Sequence, residues 1–176
     1  MGDHSEAIEI DFDPARIGYD RLLEIFWKGH DPFSDSLARQ YKAAVFYHGE
    51  GQRRLAKASK KHIEEKTGRR VVTGIVPASA FHPAEGYHQK YMLQGNTRIA
   101  EELRVYYPDD ARFTASMAAA RLNGYLGGHG TLKQLKAEIE SLGLSPGSGR
   151  MLWELVRKRD TARGNRDTES IACPVR

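Results

Sequence analysis

The chain has 176 residues, 27 Lys+Arg against 23 Asp+Glu, a formal net charge of +4, 40% hydrophobic and 28% charged residues. That is the composition of a globular chain with one domain, or one domain plus a helical appendage, and it excludes a disordered polymer. No apolar run approaches the roughly 18–20 residues of a membrane span, the N-terminus lacks a secretory pattern, and a lone cysteine, Cys173, excludes an internal disulfide framework and any multi-cysteine zinc site; the expected compartment is the cytosol or another reducing space.

Residues 6–12 alternate, with Ile8, Ile10 and Phe12 on one side and Glu9, Asp11 and Asp13 on the other, which predicts a half-buried strand stopped by Asp13-Pro14. Residues 19–29 place Tyr19, Leu22, Leu23, Phe26 and Trp27 at helical spacing, with Gly29 as a C-cap. A polar loop opens at His30-Asp31-Pro32, and a second strand is predicted over 42–47. Residues 50–66 read as a charged helix with Leu55, Ala56, Ser59 and Ile63 toward the core, ended by Gly68. A β-branched strand over 70–76 is stopped by Pro77, and a short helix is predicted over 84–93.

From Asn96 the pattern is helical: 97–106, 108–126, 131–142 and 149–159. The third of these opens on Thr131-Leu-Lys-Gln, a capping-box match with Gln134 at the third helical position. Gly124, Gly127, Gly128 and Gly130 predict a flexible joint before it. The chain therefore reads as an α/β part over 1–95, a helical part over 96–160 and a polar tail over 161–176. Arg69 and Arg70 sit together, and the cluster Arg157, Lys158, Arg159, Arg163 and Arg166 lacks interleaved aromatics and reads as a solvated helix end and tail; with so small a net charge no nucleic-acid partner is expected. His4, His30, His82 and His88 have no metal-ligand spacing, so no metal is expected.

Three stretches carry a resemblance. GDHSEAIEIDFDP at 2–14, YDRLLEIFWKGHDP at 19–32 with RQYKAAVFYH at 39–48, and VPASAFHPAEGYHQKY at 76–91 together resemble the A-type peptide methionine sulfoxide reductase (MsrA) family. The match is continuous from residue 2 to about residue 94, and its order and spacing make it specific. The resemblance implies an α+β fold, a ferredoxin-like α/β sandwich around a small mixed sheet. The part beyond Asn96, with its Ala-rich run and RLNGY, is similar to a helical extension found in some relatives.

The family reduces the S epimer of methionine sulfoxide. A thiolate or selenolate attacks the sulfur while an acid protonates the oxygen, which suits a carboxyl. By resemblance Glu6, in His4-Ser-Glu-Ala, holds the position of that acid; read from the chain alone it is a solvated carboxylate at a strand end. Tyr41, in Gln40-Tyr41, matches a tyrosine that hydrogen-bonds near the sulfoxide oxygen; its alternative is packing at a strand entry. Glu85 and His88 fall in the other recognisable patch and are expected to support the pocket rather than react. Where the family often has an acid five residues before the tyrosine, this chain has Ser36, with Asp35 one position away.

The family's nucleophile motif, Gly-Cys-Phe-Trp-Gly, does not occur in these residues; Phe26-Trp27 lies on the apolar face of a helix instead. The expectation is that a Cys or selenocysteine segment precedes the sequence and that the chain as it stands is inactive. Cys173 then matches a resolving thiol, which condenses with a sulfenic acid to give a disulfide that thioredoxin or another thiol reduces; the alternative is an unused thiol. No bound cofactor, no membrane and no nucleic acid are expected. A non-catalytic binding module derived from the reductase is the competing reading.

Overall fold

The computed structural model describes residues 5–34 and 41–162. They fall into two compact units, Met1–His82 and Pro83–Arg176. The described part is mostly helical with one small parallel sheet, compatible with an α+β fold.

In the first unit, α1 (Tyr19–Lys28) and α2 (Glu50–Thr67) pack with strands β1 (Ala44–Tyr47) and β2 (Gly74–Pro77). The strands are parallel, in the register Ala44↔Gly74 to Tyr47↔Pro77, and α2 is the crossover between them. Leu23, Val45 and Ala56 form the buried centre, with Tyr19, Phe26, Trp27 and Ile75 against it. Trp27 Nε1 donates to Ser59 Oγ at 3.0 Å, and that hydroxyl donates to the Ala56 carbonyl at 2.9 Å, so the half-buried indole has its one donor used. Gly68 ends α2 at φ 66°, with its N–H on the Glu64 carbonyl.

Several predicted boundaries move. Residues 5–13 form neither helix nor strand, and Ile8 is 84% exposed. Alternation alone does not make a strand; the ladder needs a partner, and no described residue pairs with this segment. The strand expected over 70–76 begins only at Gly74 and retains Pro77, which sits at its end, where its missing N–H interrupts no ladder. On α2 Ala56 is buried and Ser59 and Ile63 are half-buried on the predicted face, while Leu55, at its edge, is exposed.

In the second unit, α3 (Tyr91–Gln94), α4 (Thr97–Tyr106), α5 (Asp110–Ala115), α6 (Met117–Leu126), α7 (Leu132–Glu138) and α8 (Pro146–Ala162) enclose a core that includes Phe113, Leu122, Leu135 and Trp153. The helix expected over 84–93 is a 3-10 turn, Gly86–His88, followed by α3, with Lys90 between them at φ 49°. The helix expected over 108–126 breaks at Ser116, which is extended and accepts the Ala119 N–H in its side chain, capping α6. The helix expected over 131–142 tightens to 3-10 at Ile139–Leu142. Its capping box is present: Thr131 Oγ1 accepts the Gln134 N–H, and Gln134 Oε1 accepts the Thr131 N–H.

The glycine-rich joint is a bonded turn rather than a slack one. His129 N–H donates to the Gly124 carbonyl at 2.8 Å. Arg159, on α8, donates to the last carbonyls of α6, Tyr125 and Leu126. Asp160, 4% exposed, accepts the Leu132 N–H at 2.7 Å and so caps α7. Tyr125 and Arg121 on α6 both bind the Glu138 carboxylate on α7; burial and that carboxylate hold the Tyr125 phenol well above its ordinary value. Among the described helices none is long and apolar enough to cross a membrane.

Glu102 of α4 fastens the start of α8. It accepts from Ser145 N, Ser145 Oγ and Ser148 Oγ at 2.9, 2.7 and 2.6 Å, and Arg98 donates to Ser148 Oγ. Burial alone would raise this carboxyl, but the serine hydrogen bonds and the Arg98 charge outweigh it and hold it below its ordinary value. A folded value below the unfolded one, about 4.3, adds stability that is present above the unfolded value and lost as pH falls through the folded one. Glu102→Gln is therefore expected to melt below the parent near neutral pH, with the gap narrowing as pH falls below the carboxyl's unfolded value; thermal melts across an acid series check it. Gly130 sits at φ 84°, and a Cβ there would stand 2.6 Å from Tyr125 Cε1. Gly130→Ala is expected to cost about 2–4 kcal/mol, combining left-handed strain with overpacking, read by urea titration.

Candidate active site

Glu6 lies in the irregular 5–13 stretch, exposed. The stretch is tied at its far end, where Asp13 accepts Arg16 and Ile17 N–H groups on its carbonyl and Ala15 N–H on its side chain, and Phe12 stacks on Tyr19 at 6.4 Å. Tyr41 is 58% exposed and stands three residues before β1. Both belong to the first unit, and no hydrogen bond joins them. Glu6 is therefore an exposed carboxylate in a stretch that forms no strand.

Glu85 and His88 belong to the second unit and are brought together by the 3-10 turn. His88 N–H donates to the Glu85 carbonyl at 2.9 Å, and their side chains approach to 4.0 Å, both more than half exposed. An ion pair that exposed contributes little by itself. The His88 ring lies on Tyr87, centroids 4.2 Å apart, and Gln94 closes the turn by donating to the Gly86 and Gln89 carbonyls. Cys173 and Asp35 lie outside the described residues. No group of three or more His, Cys, Asp or Glu among the described residues is placed to hold a metal.

What the sequence reading missed is a polar frame in the first unit, around Thr73. Val71 N–H donates to Glu64 Oε1 at 2.9 Å, Val72 N–H to the Pro32 carbonyl at 2.9 Å, and Gly74 N–H to the Ala43 carbonyl at 2.9 Å. Thr73, 1% exposed, meets His30 Nε2 through its hydroxyl at 2.9 Å and accepts Lys60 Nζ on its carbonyl at 2.8 Å. His30 Nδ1 faces the Phe26 carbonyl at 2.9 Å, so it carries a proton, and in the neutral ring Nε2 accepts from the Thr73 hydroxyl. The one available signal was a hydroxyl, Thr73, inside an otherwise apolar β-branched run.

Comparison with known proteins decides the family. The model described as "Peptide methionine sulfoxide reductase" matches residues 1–120. The chain belongs to the peptide methionine sulfoxide reductase family. A second model, "Selenoprotein methionine sulfoxide reductase A, helical domain", matches residues 109–157, most of the helical unit beyond α4. The chain is similar to a peptide methionine sulfoxide reductase of Drosophila melanogaster, 41% identical over 148 residues, covering 83% of this chain and 59% of that protein. It is also similar to the reductase MsrA of Methanothermobacter thermautotrophicus, 43% identical over 110 residues (58% and 64%), and to reductase A5 of Oryza sativa, 37% over 131 residues (71% and 51%). The chain thus spans between half and two-thirds of the length of these relatives.

In this family member the turn that carries Glu85 and His88 is strained at one point. Lys90 is the positive-φ residue other than glycine among the described residues. Lys90→Gly is expected to relieve left-handed strain and raise stability by about 0.5–1 kcal/mol after its own entropic cost, measured as a higher urea midpoint with an unchanged slope.

Proposed function

We propose that this protein serves the reduction of methionine (S)-sulfoxide, free or within proteins, to methionine, as part of the repair of oxidised protein in the cytoplasm. The observation that carries the reading is the family match over residues 1–120, which includes Glu6, Tyr41, Glu85 and His88. That relatives 41% and 43% identical are named as such reductases speaks against the non-catalytic binding module. The first unit is assigned to the ferredoxin-like sandwich of the family, its βαβ pair being part of a larger mixed sheet.

The chemistry assigns one task to each residue. A thiolate or selenolate attacks the sulfoxide sulfur, Glu6 passes its proton to the oxygen, and Tyr41 donates a hydrogen bond to that oxygen without changing charge. The sulfoxide leaves as a thioether, and the nucleophile is left as a sulfenic acid or its selenium equivalent. Cys173, as the resolving thiol, condenses with it and releases water. Thioredoxin or another dithiol then returns the resulting bond to two reduced groups, becoming a disulfide itself. Glu85 and His88 order the turn beside them and take no part in bond making.

The nucleophile is tested by adding it. The 176-residue chain with a thiol reductant is expected to give no turnover, while the same chain joined to a segment carrying Gly-Cys-Phe-Trp-Gly ahead of Gly2 is expected to reduce a methionine sulfoxide peptide. In that active form Glu6→Gln is expected to lower the single-turnover rate about 10²–10⁴-fold with little change in binding. Tyr41→Phe is expected to cost about tenfold, one donor's worth. Turnover by the unextended chain that Cys173→Ser abolishes would make Cys173 the nucleophile, and an unchanged rate in Glu6→Gln would remove the acid role.

A further inference from the structure

The short helix α3 does two jobs within the second unit. It holds the turn before it: the Gln94 side chain donates to the Gly86 carbonyl at 2.6 Å and to the Gln89 carbonyl. It is also seated on α6, where Leu93, fully buried, donates its N–H to Asn123 Oδ1 at 3.2 Å. Met92 lies between the turn and that seat. Its side chain rests against the end of α6, where a Cβ built on Gly127 would stand 3.4 Å from Met92 Cγ. The same point lies 3.1 Å from the Asn123 carbonyl oxygen and 3.5 Å from that of Gly124. Both oxygens already accept hydrogen bonds, from Gly127 N–H and His129 N–H. Met92 is nonetheless 50% exposed, so this packed side chain is also open to solvent.

We propose that Met92 is a peroxide-sensitive latch: its oxidation to the sulfoxide lifts α3 from the end of α6 and loosens the Glu85–His88 turn. The thioether sulfur gives an electron pair to one oxygen of hydrogen peroxide. The O–O bond breaks, an S–O bond forms, and the second oxygen leaves as water, so sulfur is oxidised and peroxide reduced. The new oxygen is an acceptor only. The polar atoms beside Met92 Cγ are carbonyl oxygens at the negative end of a helix, and they have no proton to give it. The oxygen turns to water and draws the side chain off Gly127. Leu93, the next residue, then loses part of its seat, and Gln94 its fixed distance from the turn. What the turn does rests on the reductase reading; the oxidation and the loosening do not.

The test treats the 176-residue chain with a limited dose of hydrogen peroxide. Peptide mass spectra are expected to show one added oxygen on Met92 well before Met151, which is half-buried against the core. Molecules oxidised at Met92 are expected to exchange the Leu93 and Gln89 amides about tenfold faster, while amides of α8 keep their protection. Met92→Leu keeps the volume and removes the sulfur. It is expected to match the untreated parent before peroxide and to stay unchanged after it. That variant retains Met117, 70% exposed, and Cys173, so any effect of oxidising those residues appears in it as well. Loosening of the Met92→Leu protein by peroxide would overturn the latch. So would oxidation of Met151 ahead of Met92, an unchanged Leu93 amide in Met92-oxidised molecules, or protection lost equally over α8, which would make the effect a general unfolding.

Discussion

Burying a threonine obliges the chain to find partners for its hydroxyl and its carbonyl, and in the first unit that obligation organises the fold around Thr73. An unpaired polar group at that depth costs about 1–3 kcal/mol, a large share of what a unit with so small a core can spare. His30 meets the hydroxyl and Lys60 the carbonyl, which draws the end of α1 and the middle of α2 to one point. Glu64 adds a bond from α2 to Val71. The apolar contribution, centred on Leu23, Val45 and Ala56, sets which faces meet; the polar frame sets their registration.

The second unit solves the same problem with charged side chains at helix ends. Helix termini leave N–H and C=O groups without intrahelical partners, and here they are met from neighbouring helices. Glu102 serves the start of α8, Asp160 the start of α7, and Arg159 the end of α6. Carboxylates stand at helix N-termini and a guanidinium at a C-terminus, the sense the helix dipole favours. Each charge is thereby matched to groups that would otherwise be buried without partners, and the packing of Phe113, Leu122, Leu135 and Trp153 is enclosed by these ties.

Legibility in the sequence followed how local the deciding interaction was. The bounds of α1 and α4, the αL glycine after α2 and the Thr131–Gln134 box depend on residues within one or two turns, and they stand where periodicity and capping placed them. The strand over 6–12 depended on a distant partner and is not formed. The break at Ser116 was local and readable as an N-cap, but the alanine-rich run around it masked the signal. For the site, the turn joining Glu85 to His88 is an i,i+3 relation that sequence shows directly. The polar frame of the first unit joins His30 to Thr73 across 43 positions, and nothing in local spacing announces it. The family resemblance supplied Glu6 and Tyr41 themselves, which composition and periodicity alone did not single out.

Arg159 and Asp160 have a consequence for the order in which the protein can be finished on the ribosome. Chains emerge N-terminus first, at about 5–20 residues per second, and domains fold as units once their parts are out. Every element of the first unit is available well before the second begins. The second unit differs, because the ends of α6 and α7 take their caps from near the end of α8. Thr131 and Gln134 cap α7 locally, but the Leu132 N–H and the last carbonyls of α6 emerge without these partners and wait for the end of α8. Closure of the helical unit therefore follows the emergence of α8, timed by residues that belong to its exit and not to its core.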